Sequence, residues 1–69
     1  MIHVTVNGQR KDVERDAVLM EMLRGLGITD EATGVAVAVN DTVVPRSGWT
    51  TQHLQDGDVV EVIRAVQGG

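Results

Sequence analysis

Side chains able to catalyse a reaction are scarce in this sequence. His3 and His53 are its only imidazoles, and neither belongs to a cluster with the spacing of metal ligands. Ser47, His53 and Asp56 supply the residue types of a hydrolytic triad, but the G-x-S-x-G turn of such enzymes is missing, and so short a chain leaves no room for a substrate cleft. The absence of cysteine removes disulfide, zinc-finger and iron–sulfur chemistry. The side chains therefore predict neither an active site nor a metal site.

The two last residues, Gly68 and Gly69, offer a different kind of chemistry. They follow the longest apolar run of the sequence, Val59 to Val66, which predicts a well-anchored strand. Because glycine has no Cβ, a Gly-Gly stem can pass in an extended form through a channel too narrow for other residues. A free carboxylate on such a stem suits the delivery of an acyl group into another protein's active site. We therefore predict that the functional group is the main-chain carboxyl of Gly69, and that Gly68 gives it access.

The first half of the chain predicts a hairpin and a helix. Ile2, Val4 and Val6 alternate with polar residues, as in a half-buried strand, and Asn7-Gly8 is typical of the type I′ turn that leads into a returning strand. A helical stripe follows, with Asp16 as the predicted N-cap and Gly27 in the left-handed position after the last turn. The apolar residues of the stripe are Val18, Leu19, Met22, Leu23 and Leu26.

The second half predicts three more strands: residues 35–39, a short one at Val43-Val44 and the last at residues 59–66. We expect Trp49 to cover one end of the core with Leu54, and Arg46 to lie on a loop. A hairpin, a crossover helix and a second strand pair predict an α+β protein of the β-grasp (ubiquitin-like) fold. It has a mixed sheet of four to five strands with one helix packed on one face, and the last strand lies beside the first and parallel to it. Residues 1–66 would form the domain and residues 67–69 a flexible tail.

Composition limits the partners and the compartment. The 69 residues carry a net charge of -4 and a pI near 4.8, which argues against binding to nucleic acid or to anionic membranes. No apolar stretch approaches the roughly 20 residues that cross a bilayer, and the N-terminus lacks the features of a secretory signal. We expect a cytoplasmic protein that is a monomer when alone.

Three segments carry a resemblance to a known family: residues 38–49, whose Val44-Pro45-Arg46-Ser47-Gly48-Trp49 part is the most discriminating, Leu54-Gln55-Asp56-Gly57-Asp58, and Gly68-Gly69. With them the chain resembles the ThiS family, the sulfur carrier proteins that serve thiazole formation in thiamine biosynthesis. The resemblance implies a carrier and not an enzyme, with no bound cofactor. It implies that an E1-like enzyme of the ThiF type uses ATP to adenylate Gly69. A persulfide, for example from a cysteine desulfurase system, would then give a thiocarboxylate, whose sulfur goes to a thiazole synthase of the ThiG type.

The alternation of the last strand adds a docking prediction. Val59, Glu61, Ile63 and Ala65 share one face, and Glu61 marks that face as the wetter one. We therefore expect Val59, Ile63 and Ala65 to be exposed and to contact the adenylating enzyme. The only lysine, Lys11, is predicted to be far along the chain from the tail.

Three other functions remain open from the sequence. The chain could be the small subunit of a molybdopterin synthase (the MoaD type), which uses the same tail chemistry with a different acceptor. It could be a non-covalent β-grasp interaction module with an inert tail. It could also be a ubiquitin-like modifier that forms an isopeptide bond with a lysine.

Overall fold

Five strands, one α-helix and one 3₁₀ turn make up residues 1–65, the part of the chain that the computed structural model describes. Val66, Gln67, Gly68 and Gly69 lie outside the described residues, and so does the predicted flexible tail at 67–69. In chain order the elements are β1 (Ile2–Val6), β2 (Gln9–Val13), α1 (Leu19–Gly25), β3 (Val35–Val39), β4 (Thr42–Val44), the 3₁₀ turn (Arg46–Gly48) and β5 (Val59–Arg64).

All five strands form one mixed sheet in the order β2-β1-β5-β3-β4. The last strand, β5, is central: it runs parallel to β1, with Thr5 opposite Val59, and antiparallel to β3, with Val35 opposite Arg64. The helix α1 is the crossover between β2 and β3, the two strands that flank the β1–β5 pair. This arrangement confirms the predicted β-grasp fold and settles the strand number at five.

The Asn7-Gly8 turn has the predicted backbone, and the turn between β3 and β4 has the same form. Asn7 and Gly8 have φ angles of 49° and 81°, and Asn40 and Asp41 have φ angles of 51° and 68°. Two successive positive φ angles match the type I′ turn, whose twist agrees with that of the flanking strands. These turns fix the registers of the β1–β2 and β3–β4 pairs.

The core lies between α1 and one face of the sheet. Leu19 and Leu23 of the helix and Val60 of β5 are completely buried, and Trp49 and Leu54 close one end of the core as predicted. The buried hydrophobic residues are Ile2, Val4, Val6, Val13, Ala17, Leu19, Met20, Met22, Leu23, Ile28, Val37, Val39, Trp49, Leu54 and Val60.

The start of α1 differs from the prediction. The N-cap position is held by Val18, and Asp16, the predicted cap, is exposed two residues before it. The N–H groups of Leu19 and Met20 donate to the carbonyls of Gln52 and Trp49 at 2.8 Å each, while the Glu21 carboxylate accepts from the N–H of Val18 at 3.1 Å. A helix needs a capping side chain only for N–H groups that lack another acceptor, and a distant segment supplies the acceptors here.

The end of α1 agrees with the prediction. Gly27 has a φ of 87° and donates its N–H to the carbonyl of Arg24 at 3.0 Å, while Ile28 donates to Leu23 at 3.0 Å. These two bonds form a Schellman motif, in which glycine takes the left-handed position without strain. The chain therefore leaves the helix in a fixed direction toward the loop before β3.

Candidate site at the end of the last strand

The last strand places the predicted docking residues on the solvent side of the sheet. Ile63 is 63% exposed and Val59 is 46% exposed, whereas Val60 is fully buried toward the helix. Ala65, one residue beyond β5, is also exposed. The structure confirms the predicted exposure of Val59, Ile63 and Ala65; their contact with a partner remains a prediction. Gly68 and Gly69, the predicted functional residues, lie outside the described residues.

The solvent face of the sheet divides into an apolar and a polar half. Residues opposite each other in adjacent strands point to the same face. The register therefore places Ala36 beside Ile63, and Ala38 between Val43 and Glu61. We call the group Ala36, Ala38, Val43, Val59 and Ile63 the apolar half. It covers β5, β3 and β4, and it ends where the chain leaves β5 toward Gly69.

The polar half, on β1 and β2, consists of a small charged network. The Asp12 carboxylate lies 2.6 Å from Nδ1 of His3, and Nη2 of Arg10 lies 2.9 Å from Nε2 of the same ring. The hydrogen bond to His3, helped by the charge of Arg10, lowers the pKa of the Asp12 carboxyl. These contacts account for His3 as part of a surface network.

The residues of the hypothetical triad do not meet. Ser47 lies in the 3₁₀ turn, the ring of His53 is 3.3 Å from the carbonyl of Asp16, and the Asp56 carboxylate accepts the N–H of His3 at 2.8 Å. Among residues 1–65, no group of three or more metal-ligating side chains comes together. Within residues 1–65, the candidate functional features are therefore the last strand and the surfaces beside its end.

Hydrogen bonds hold β5 on both sides up to its end. The Asn7 side chain accepts the N–H of Val62 at 2.8 Å and donates to its carbonyl at 3.1 Å, so it continues the β1–β5 ladder beyond the last residue of β1. On the other side, the N–H of Ala65 donates to the carbonyl of Gly34 at 2.6 Å. The path toward Gly69 therefore starts from a fixed point of the sheet.

A cleft with two cationic side chains lies on the helix side of this strand end. It has a volume of about 480 Å³, and its lining contains Lys11 and Arg64 but no carboxylate, while the guanidinium of Arg10, a third lining residue, lies on the solvent face with His3. Nη2 of Arg64 also donates to the Leu26 carbonyl at 3.0 Å. Lys11, predicted to be far along the chain from the tail, thus shares a cleft with the residue that precedes Ala65. The β1–β2 hairpin causes this proximity, because it folds β2 back along the sheet.

Sequence reasoning missed the role of Arg46. Its guanidinium lies 4.6 Å from the centroid of the Trp49 ring, and Nη1 donates to the carbonyl of Asp30 at 2.9 Å. Trp49 in turn donates from Nε1 to the carbonyl of Val44 at 3.0 Å. The spacing of Arg46 and Trp49 in the Pro45-Arg46-Ser47-Gly48-Trp49 segment was the available signal, since one 3₁₀ turn places residues three apart on the same side.

A mixed five-stranded sheet, a single crossover helix and a central last strand define a ubiquitin-like protein of the β-grasp class. No helix within residues 1–65 has the length and apolar character needed to cross a membrane.

Comparison with known proteins identifies the family within this class. The sequence matches the model of the ThiS family over residues 4–69. It is 38% identical to the sulfur carrier protein ThiS of Thermus thermophilus, over 96% of this chain and 98% of that one. The crystal structure of the thiamine biosynthesis protein ThiS from Geobacter metallireducens superposes with a TM-score of 0.79 at 30% identity, covering 99% of this chain and all of that one. The chain belongs to the ThiS family.

A further relative combines this domain with a larger protein. A thiazole synthase of Magnetococcus marinus is 35% identical over 66 residues, which are 96% of this chain but 20% of that protein. A sequence like this one therefore occurs within a polypeptide named for the enzyme that forms thiazole.

Proposed function

We propose that this member of the ThiS family carries sulfur for thiazole formation in thiamine biosynthesis, as a thiocarboxylate at the C-terminus of Gly69. The observation that carries the proposal is the match with the family model, which continues through residue 69 and so includes both terminal glycines. The end-to-end similarity to a sulfur carrier protein supports it. The chain is thus a carrier, used and regenerated, and the enzymes that act on it supply the catalytic groups.

The first step activates the carboxylate. An oxygen of the Gly69 carboxylate attacks the α-phosphorus of ATP in an E1-like enzyme of the ThiF type, and pyrophosphate leaves. The product is an acyl adenylate, whose carbonyl carbon is electrophilic because AMP is a good leaving group. This chain itself binds no cofactor, since the nucleotide belongs to the enzyme. Its own contribution is a narrow stem, because Gly68 and Gly69 have no side chain to obstruct the channel.

The second step introduces sulfur. The outer sulfur of a persulfide, for example one formed by a cysteine desulfurase system, attacks the carbonyl carbon and displaces AMP. A thiol then attacks the second sulfur of the resulting acyl disulfide, which leaves a thiocarboxylate on Gly69 and a separate disulfide. The thiocarboxylate sulfur is a nucleophile near neutral pH for the same reason that a thiolate is.

The acceptor is a thiazole synthase of the ThiG type. The thiazole synthase that contains a stretch similar to this chain supports this partner, because joining carrier and acceptor in one polypeptide raises their effective concentration. The same observation favours thiazole formation over the molybdopterin branch.

The apolar half of the sheet is the surface that we propose for docking with the adenylating enzyme. Ile63, next to the strand end, and Val59, at the start of the same strand, are large exposed hydrophobic residues, and neighbouring Ala36 and Ala38 leave the surface flat. An enzyme that receives the tail must surround its base, so this surface is the part of the sheet face within its reach. Burial of these residues against an apolar surface would hold the carrier while Gly69 reacts.

Mass spectrometry of the intact chain tests the proposal. After incubation with ATP, a persulfide donor and the E1-like enzyme, we expect a mass change equal to the replacement of one oxygen by sulfur. Deletion of Gly69 should abolish this product, because the shortened tail no longer brings its carboxylate to the α-phosphate. A variant with Glu14→Gln, an exposed position just after β2 at the opposite end of the sheet, should react like the unmodified chain.

Other outcomes would contradict the proposal. An unmodified chain in the presence of an enzyme that adenylates a known carrier would indicate an inert tail. Linkage to a lysine would indicate a protein modifier. Transfer of the sulfur to molybdopterin synthase, with none to thiazole synthase, would assign the chain to the other sulfur pathway.

A further inference from the structure

The loop between α1 and β3, residues 29–34, ends directly against the base of the tail. Gly34 accepts the N–H of Ala65, the last described residue, at 2.6 Å. Gly34 has a φ of 69°, and a Cβ built on it would lie 3.2 Å from Cβ of Ala65. The loop and the strand end are therefore in close contact, and glycine is the residue that permits both the conformation and the approach.

Arg46 holds this loop from the other side. Its Nη1 donates to the carbonyl of Asp30 at 2.9 Å, and its Nη2 donates to the carbonyl of Ala32. The planar guanidinium has its donors in a rigid fork, so one side chain fixes two carbonyls at once. A second fork acts on the same loop, since Arg24 donates from Nε and Nη2 to the Asp30 carboxylate at 3.0 Å each.

Arg46 is itself held by the core. Its guanidinium lies over the Trp49 ring, 4.6 Å from the centroid, in a cation–π contact. Trp49 is only 1% exposed, and its Nε1 donates to the carbonyl of Val44 in β4. A continuous set of contacts thus runs from the buried Trp49 through Arg46 and the loop to Ala65.

We infer that Arg46 is a positioning residue for the sulfur-carrying reaction: by bracing the loop, it fixes the point and direction in which the tail leaves the sheet. This inference rests on the proposed function of Gly69. Four residues follow Ala65, and at roughly 3.3–3.6 Å per residue they reach no farther than about 14 Å. A tail this short has no spare length to compensate for a displaced starting point, so the position of Ala65 decides whether the carboxylate meets the α-phosphate.

The test compares Arg46→Met with Arg46→Lys and with a matched control, Arg15→Met. Methionine keeps a side chain that packs on Trp49 but removes the donors, and lysine keeps the charge without the fork. Arg15 is exposed, and its change alters the net charge by the same amount. We expect kcat for adenylation to fall about tenfold in Arg46→Met with KM unchanged, because the misplaced tail reacts slowly in a complex that forms normally. Arg46→Lys should remain well below the unmodified chain, and Arg15→Met should match it.

Amide hydrogen exchange tests, without any partner enzyme, whether Arg46 holds the loop against Ala65. The N–H of Ala65 should exchange about tenfold faster in Arg46→Met. The N–H of Thr5, bonded to the carbonyl of Asp58 at 2.9 Å on the far side of β5, should exchange as in the unmodified chain. Faster exchange at both sites would mean that Arg46 only stabilises the fold, and would overturn the inference.

The kinetic outcomes separate the possibilities further. A raised KM with unchanged kcat would make Arg46 a docking residue, and unchanged constants would give it no part in positioning; either result overturns the inference. If the unmodified chain is not adenylated at all, the proposed function of Gly69 fails. The exchange experiment would still show whether Arg46 fixes Ala65.

Discussion

Asn7 shows how one residue can serve two structural purposes. Its backbone, with a φ of 49°, makes the β1–β2 turn, and its side chain exchanges two hydrogen bonds with Val62 of β5. Asn is among the few residues that tolerate this conformation, and its amide reproduces the donor and acceptor of a peptide group. The side chain thus replaces the residue that β1 would need to extend its pairing with β5.

Replacement of Asn7 by glycine separates these two purposes. Glycine accepts the positive φ, so the turn persists, but both bonds to Val62 are lost. At about 0.5–1.5 kcal/mol for each net hydrogen bond, Asn7→Gly should lower the free energy of unfolding by about 1–3 kcal/mol. Urea unfolding followed by tryptophan fluorescence measures the change.

The control for this variant is Asp41→Gly in the other type I′ turn. Asp41 has a φ of 68°, and the described contacts include no hydrogen bond from its side chain. Relief of backbone strain and the added freedom of the unfolded chain nearly cancel there. Equal losses of stability in the two variants would refute the role assigned to the Asn7 side chain.

The elements of this protein differ in how far the sequence predicts them. The first hairpin was predicted correctly because Asn7-Gly8 determines its turn locally, and alternation in β5 correctly predicted that Val59 and Ile63 are exposed. The N-cap was wrong because the acceptors for the first helical N–H groups come from residues 49–52, far along the chain. The hydrogen bonds from Arg46 to the carbonyls of Asp30 and Ala32 could not be predicted for a similar reason, because these carbonyls belong to a distant loop without a periodic pattern.

The same loop gives α1 a weak pH-dependent contact. Arg24, in the last turn of the helix, holds the pKa of the Asp30 carboxyl below its ordinary value of 3.8, mainly through their hydrogen bonds. A lowered pKa means that the ionised carboxylate favours the folded state. The contribution is therefore present above pH 3.8 and is lost as the pH falls through the lowered pKa.

Asp30→Asn isolates this effect. The melting temperature of the unmodified chain should exceed that of the variant slightly near neutral pH, because both groups are exposed and water screens the pair. The difference should disappear as the pH falls below the lowered pKa of Asp30, where the carboxyl is protonated in both states. Glu31→Gln, at the exposed neighbouring position, should show no such convergence. A difference that is independent of pH would contradict the ionic origin of the contact.

At the scale of the whole molecule, the base of the tail separates two unlike surfaces. Ten acidic and six basic residues give the chain its net charge of -4, yet the basic side chains of Lys11 and Arg64 share the cleft on the helix side of β5. The apolar half lies on the opposite face of the sheet. Among the residues that pair with it in β3 and β5, Glu61 is the one with a charge. A partner that encloses the tail therefore meets cations on one side and hydrophobic side chains on the other.

Ile63→Glu tests whether the hydrophobic side is the docking surface for the adenylating enzyme. Ile63 is 63% exposed, so the carboxylate stays in water in the free protein and the fold should persist. In the complex the same carboxylate would be buried without a partner, which should weaken binding by about tenfold or more. Thr50→Glu adds the same charge at an exposed position beside the 3₁₀ turn and should leave the affinity unchanged. Calorimetric titration with the enzyme measures both variants, after thermal unfolding has verified that each is folded. An affinity of Ile63→Glu equal to that of the unmodified chain would place the docking surface elsewhere, and the cationic cleft would then be the remaining surface at the tail base.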